Sequence, residues 1–537
     1  MTLQLHRSAH VDTFTRRHLP SEETWPNLIF TLPEMDYPER VNCADRLLDH
    51  WVREGHGDAR CVIGAREELT YARLQARANQ IAHVLLEDLA MVPGNRVLLR
   101  SPNNPWAVAC WFGVIKAGGV VVATMPLLRR RELATIATTS ETRLALCDAR
   151  FTEELEQAEV DDLRIVTFEG EGPYDLTLLA STKPTTFDNI DTADDDVAIL
   201  AFTSGTTGKP KAAMHFHRDI LATCDAFSRR VLRPEPGDVF TGTPPMAFTF
   251  GLGSTILYPL DAGASSLLLE HNDPQDLLAQ ARRHGVTTIF SAPTFYRLLI
   301  PLLEAEPVPS LRTGVSAGET LPAATWEAFE RATGIRLIDG LGSTEMLHIF
   351  IAALPEDTRP GATGPAVPGY VAEVQDDEGR ALPAGTVGLL AVKGPTGCRY
   401  LRGDRQGRYV QRGWNLTGDL YTQDQDGYFH YVSRADDMII SAGYNIAGPE
   451  VEGALLLHPD VDEAAVVGIA DPERGQVVKA FVRLRPGVAG DEVVAEALQE
   501  FCKRQIAPYK YPRVVEFVES LPRTETGKLQ RFKLREG

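Results

Sequence analysis

The chain has 537 residues, 44% hydrophobic and 24% charged, with 54 basic and 73 acidic side chains and a formal net charge of -19. That length exceeds one ordinary hydrophobic core, so two or more domains of globular composition are expected. The acid excess repels polyphosphate backbones at long range, which excludes nucleic acid as an expected partner but not a small anion held in a locally positive site.

In chain order, Arg96–Leu99 reads as a buried strand and is followed by a helix from about Pro105. The apolar stretch Trp106 to Leu128 is interrupted by Lys116, Gly118, Gly119 and Pro126. It reads as helix, glycine turn and strand rather than a membrane span. Further on, Val197–Phe202 is a wholly apolar run before a glycine-rich turn, and the helical pattern of 274–284 precedes the strand 287–290. Such alternation predicts βαβ units and parallel-rich sheets. From about 364 to 431, short strands between Gly, Asp and Pro turns predict a small β-rich subdomain. After Ser433 a compact α/β unit is expected. A helix begins near Pro449, strands cover 464–469 and 477–484, and Asp491 caps a helix presenting Val493, Val494, Leu498 and Phe501 on one face. A last strand covers 513–518. The expected division is therefore 1–433 and a smaller, mobile 434–537. Seven dispersed cysteines without a C-x-x-C pair, and no apolar leader, fit a reducing cytoplasm.

The strongest local signal is Thr203-Ser204-Gly205-Thr206-Thr207-Gly208-Lys209-Pro210-Lys211. Glycines let backbone N–H groups close on phosphate oxygens, hydroxyls donate, and lysines neutralise charge. Two residues separate the glycines and Pro210 follows the lysine, so the Walker A spacing is not met. On this loop the chain resembles the adenylate-forming superfamily: acyl- and aryl-CoA ligases, peptide-synthetase adenylation domains and luciferases. The resemblance covers nearly the whole chain, with the other signatures in the expected order.

That resemblance implies a role for each of the other signatures. In Asp339-Gly340-Leu341-Gly342-Ser343-Thr344-Glu345, Thr344 meets the α-phosphate and Glu345 holds Mg²⁺. Leu341 stands where relatives often carry Tyr. Ser316-Ala317-Gly318-Glu319 lies beside adenine and the acyl group, with Asp339 and Gly340 nearby. Asp419, in Gly413-Trp414-Asn415-Leu416-Thr417-Gly418-Asp419, accepts from the ribose hydroxyls, and Arg434 touches ribose or phosphate. Asp436 is the hinge. Ser433 and Ile440 replace the family's usual Gly and Lys. Ser441, Ala442, Gly443 and Tyr444 shape the pantetheine tunnel for coenzyme A. Weaker candidates for the CoA nucleotide are Lys479, Phe481, Tyr509 and Lys510. Lys528, in Pro522-Arg523-Thr524-Glu525-Thr526-Gly527-Lys528, bridges the substrate carboxylate and the α-phosphate, offsetting repulsion between two anions.

The acyl pocket is assigned to Ala247, Phe248, Phe250, Gly251, Gly342, Ser343 and His348, with His348 on a helix after Glu345 and packing beside the site rather than catalysing. Gly342–Phe350 resembles benzoate-CoA ligases. The stretch His10–Phe14 and the region 33–43 look more like 2-aminobenzoate-CoA ligases. A flat apolar slot fits an aromatic ring. The expected substrates are ATP, coenzyme A and a small aromatic carboxylate, with no membrane partner, in a monomer or homodimer. Two other readings stand beside this one: a stand-alone enzyme loading a carrier protein, and a non-catalytic nucleotide-binding protein.

Overall fold

The computed structural model describes residues 5–203, 211–403, 405–435, 437–441, 444–471, 474–523 and 529–535, apart from the side chain of Asn445. The fold is α/β, with a large N-terminal part built on two parallel-rich sheets and a β-rich sheet, and a small C-terminal part on a sheet of its own.

The first large sheet has six strands in the order Arg164–Phe168, Leu144–Asp148, Arg96–Arg100, Val120–Thr124, Val197–Thr203 and Lys211–Phe216. All neighbours run parallel except the last two, which pair antiparallel from Val197↔Phe216 to Thr203↔Lys211. The second has eight strands in the order Ile349–Ala352, Leu337–Gly342, Thr313–Ala317, Thr288–Ser291, Val239–Gly242, Ser265–Leu267, Arg60–Ile63 and Glu68–Thr70, parallel inside and antiparallel at both edges.

The helix Pro105–Lys116 explains how the sheets join. Asn104 caps it by accepting from the Ala107 amide at 2.8 Å, Pro105 fills its first turn, and every residue of it is buried. Helices buried all round belong to a core between layers. One apolar cluster accordingly includes Trp111 and Phe112 of this helix together with Val97 and Leu99 of one sheet and Val62, Phe290 and Ile338 of the other. Its final Lys116 is buried and lies 2.6 Å from both carboxylate oxygens of Asp49 and 2.9 Å from Asn189 Oδ1. No helix among the described residues is long and apolar enough to cross a membrane.

The β-rich sheet is antiparallel and comprises Val371–Gln375, Gly388–Lys393, Val410–Gln411, Trp414–Gln423 and Phe429–Arg434. After Arg434 the chain enters the last sheet, whose strands are Tyr444–Ile446, Ile439–Ser441, Gly475–Leu484, Val461–Asp471 and Val514–Phe517. The helix Glu492–Gln505 packs here, and Asp491 caps it by accepting from the Val494 amide. Its buried face differs from the expected one. Val493 is 72% exposed, whereas Leu498 and Cys502 are buried and Phe501 meets the His458 ring edge-on. Four apolar residues were available, and the sheet takes the i, i+4, i+8 stripe Val494, Leu498 and Cys502. All seven cysteines are free and buried.

Candidate active site

Among the described residues, the strand Lys211–Phe216 and the residues Tyr400 and Tyr409 all reach the turn that carries Thr344 and Glu345. Residues 204–210 join two antiparallel strands rather than a strand and a helix, and Thr203 faces Lys211 at their mouth. This is unlike a nucleotide loop that opens a helix. The loop residues Ser204 to Lys209, the hinge candidate Asp436, the tunnel residues Ala442 and Gly443, and Lys528 lie outside the described residues.

Beside that mouth the segment Arg399–Leu401 pairs with the strand Lys211–Phe216. The Met214 amide donates to the Arg399 carbonyl at 2.8 Å and the Leu401 amide to the Ala212 carbonyl at 2.9 Å. The Tyr400 hydroxyl is thereby brought to Glu345 Oε1, to which it donates at 2.5 Å. Lys211 Nζ lies 5.3 Å from the centre of the same ring. Burial lowers the Lys211 pKa, and the Glu345 carboxylate opposes that shift. A cation, a phenol and a carboxylate are thus grouped beside the turn that carries Thr344 and Glu345.

That turn is held from three sides. Ser343 caps it by accepting from the Met346 amide at 3.3 Å, and its hydroxyl is 3.0 Å from that of Tyr409. His215 Nε2–H donates to the Thr344 carbonyl at 2.8 Å. Burial drops the His215 pKa to about 4, so the ring is neutral at physiological pH. Tyr400, Tyr409 and His215 carry no signal in the sequence that marks them for the site. Each lies 55 to 129 positions from its partner, and no local pattern links them.

On the nucleotide side, Ser316 pairs with Asp339 and Ala317 with Gly340 across parallel strands. Gly318 follows with φ +89°, a conformation natural to glycine. The Ser316 hydroxyl is buried without a partner among the described residues. Loss of hydration pushes the Asp339 carboxyl up to about 7, against a hydrogen bond from Thr363. Asp419 and Arg434 face each other in register, with Arg434 Nη1 3.0 Å from Asp419 Oδ1 and 3.0 Å from the Thr417 carbonyl. Glu319 accepts from Thr294 Oγ1 and from Arg523.

The acyl-pocket candidate Phe250 packs against His348, another of the candidates, and against Phe290. Its ring centre lies 5.8 Å from Phe290 and 5.8 Å from His348. His348 is not on a helix. The turn Thr344–Met346 ends at Leu347, φ +71°, and a strand begins at Ile349. A capping serine starts a turn as well as a helix, and pairing with the edge of the sheet decides between them. His348 is buried against Phe227, Tyr258 and Phe250, and burial drops its pKa to about 3. It is a neutral packing group. Gly251 and Gly342 are small for backbone reasons, because a Cβ there would fall 2.0 Å from the Pro245 carbonyl oxygen and 2.6 Å from that of His348. Ser441 pairs with Gly475 and Tyr444, and the Tyr444 ring stacks on Tyr509 with 4.6 Å between centres.

Two family models match this chain: "AMP-binding enzyme" over residues 48–400 and "AMP-binding enzyme C-terminal domain" over 450–528. The chain belongs to the AMP-binding enzymes. Within the family it is 34% identical to a benzoate–CoA ligase of Thauera aromatica over 94% of this chain and 98% of that one. Two solved structures share its fold. An anthranilate CoA ligase in complex with anthranoyl-AMP matches with TM-score 0.88 and 32% identity over 94% and 98% of the two chains. A benzoate CoA ligase from Burkholderia xenovorans LB400 matches with TM-score 0.84 and 31% identity over 92% and 100%.

The donors near Glu345 also suit Mg²⁺. Glu345, one oxygen of which accepts from Tyr400, is the carboxylate that would hold such a hard cation. Among the described residues, the one group of three acidic or imidazole ligands is His6, Asp194 and Asp195, and Arg16 and Arg218 already pair with it. Tyr400→Phe should lower ATP-dependent pyrophosphate release by roughly ten-fold, the worth of a charge-assisted hydrogen bond. A rate within two-fold of wild type would show that Glu345 does not depend on it. The raised Asp339 carboxyl gives a second expectation. An unfolded carboxyl ionises near 3.8 while this one stays protonated to about 7, so the folded state loses stability as pH rises between those values. Asp339→Asn removes that loss. Its melting temperature should exceed wild type by more at pH 8 than at pH 5, and an equal difference at both would show ordinary ionisation.

Proposed function

We propose that this enzyme is an ATP-dependent aryl-CoA ligase. It converts a small aromatic acid of the benzoate or 2-aminobenzoate type to its adenylate and pyrophosphate, then transfers the acyl group to coenzyme A with release of AMP. The observation that carries this reading is the likeness over nearly the whole chain to a ligase holding anthranoyl-AMP, joined to a cluster of aromatic rings, Phe250, Phe290 and His348, at the matching signature. Neutral His348 and the rings of Phe250 and Phe290 suit a planar apolar ring, and they offer no charge to an α-amino acid.

Residues 1–433 bind ATP and the acid, and residues 434–537 form the mobile domain. Ser204 to Lys209 cradle the phosphates. Thr344 orients the α-phosphate, and its turn is kept in place by His215 and Ser343. Asp419 receives the ribose hydroxyls and is itself oriented by Arg434. Glu345 would hold Mg²⁺, which neutralises charge on the departing pyrophosphate. Lys528 brings the carboxylate and the α-phosphate together by offsetting their repulsion. The second half-reaction needs that space for a thiol, so the small domain turns at Asp436 and presents the 441–444 loop. Seven buried, unpaired cysteines support a reducing cytoplasm.

The test is pyrophosphate release across benzoate, 2-aminobenzoate, hydroxybenzoates, phenylacetate and a medium-chain fatty acid, each with and without CoA. Release with an aromatic acid and thioester formation with free CoA are expected. Transfer only to a holo-carrier protein would favour the carrier-loading reading, and no release with any acid would end the ligase reading. Lys528→Ala should slow adenylation by about a hundred-fold or more while sparing thioester formation from supplied acyl-AMP. An equal loss in both steps would remove Lys528 from its role.

A further inference from the structure

Arg523 connects two carboxylates that belong to different parts of the molecule. It donates to Glu319 Oε1 at 3.1 Å and to Glu463 Oε2 at 2.8 Å. Glu319 follows a strand of the eight-stranded sheet, and Glu463 lies on a strand of the last sheet. Each acid is also fixed on its own side. Glu319 accepts from Thr294, and Glu463 lies 2.6 Å from Arg483, which pairs with Asp462 as well. Arg297, one turn after Thr294 on the helix Pro293–Ala305, reaches the Asp462 carbonyl at 3.4 Å. The result is a chain of charges, Arg483–Glu463–Arg523–Glu319, that crosses from the small domain to the large one. The side chains of Glu319 and Glu463 are 19% and 10% exposed. Without a cation between them they would face each other poorly hydrated and repel.

Arg523 also sits at a particular place in the sequence. It pairs with Leu529 in an antiparallel bridge, so the two residues flanking 524–528 are tied together where the guanidinium grips Glu319. In the same arrangement Tyr444, of the loop assigned to coenzyme A, is 52% exposed and stacks on Tyr509 of its own domain.

We propose that Arg523 is an interdomain clamp. It is a positioning residue that bridges Glu319 and Glu463, holds the C-terminal domain in the arrangement used for adenylation, and must let go of Glu319 before thioester formation. This rests on the ligase reading. The clamp sets the balance between the half-reactions, because the energy that steadies the first arrangement is lost on leaving it.

The test measures each half-reaction in single turnover: pyrophosphate release from ATP and an aromatic acid, and thioester formation from supplied aryl-AMP and CoA. Arg523→Ala should slow the first on the order of ten-fold and leave the second unchanged or faster, with Arg523→Lys between it and wild type. A second readout does not need activity. All native cysteines are buried, so Glu304→Cys and Glu496→Cys, both at exposed helical positions, can carry a pair of spin labels across the domains. Arg523→Ala should broaden their distance distribution. The clamp is overturned if both half-reactions slow equally, if neither changes, or if the distance distribution matches that of the parent pair. A wild-type enzyme silent with every acid ends the ligase reading instead, and the distances alone then decide the clamp.

Discussion

A guanidinium that cannot reach water organises the centre of this molecule. Arg399 is fully buried, ion-paired to Asp219, and stacked 4.0 Å from the centre of the Phe216 ring. Removing one partner of such a pair strands the other charge in low dielectric, at a cost of about 3–5 kcal/mol. The pair therefore fastens Arg399 to the helix His217–Thr223, its ring stacking and backbone pairing fasten 399–401 to the strand Lys211–Phe216, and the neighbouring residues inherit that placement. Tyr400 is presented to Glu345, and His215, on the same strand, reaches the turn that carries Thr344. The charged groups proposed to meet phosphate rest on a foundation that is itself ionic but takes no part in the chemistry.

Much of this architecture is legible from local pattern. A short apolar run between charged flanks, such as Val97-Leu98-Leu99 between Arg96 and Arg100, reads as a buried strand, and Asn104-Pro105 announces a helix start. Signals with two local solutions are less legible. Ser343-Thr344-Glu345 opens either a helix or a single turn, and edge pairing of Ile349 with Gly342 chose the turn. Val493 and Val494 each extend an apolar helical stripe, and the position of the sheet beneath chose Val494. The partners of site residues are not legible, because Tyr400 with Glu345 and Arg523 with Glu319 are joined only by tertiary folding. The glycines are legible as small residues but not for the right reason. Gly251 and Gly342 answer to backbone carbonyls rather than to pocket volume.

Around the site, ionisable pairs sit beside groups kept neutral. Lys211 and Glu345 flank the Tyr400 ring, and Arg434 pairs with Asp419. His348 and His215 are pressed by burial into the neutral form, one among rings and one beneath the Thr344 turn. An uncharged imidazole can pack among aromatic rings without attracting counter-ions.

The burial of the cysteines has a consequence for an enzyme that makes a mixed anhydride. Such an intermediate acylates any thiolate within reach, and a protein thiol near the site would compete with the incoming acceptor. Cys398 lies two residues before Tyr400, inside the shell around Glu345, and its thiol is pushed well above the ordinary range by burial. Held protonated and covered, it is a poor nucleophile. The protein is thereby shielded from labelling itself with its own product, and the acyl group is saved for the acceptor that arrives from solution.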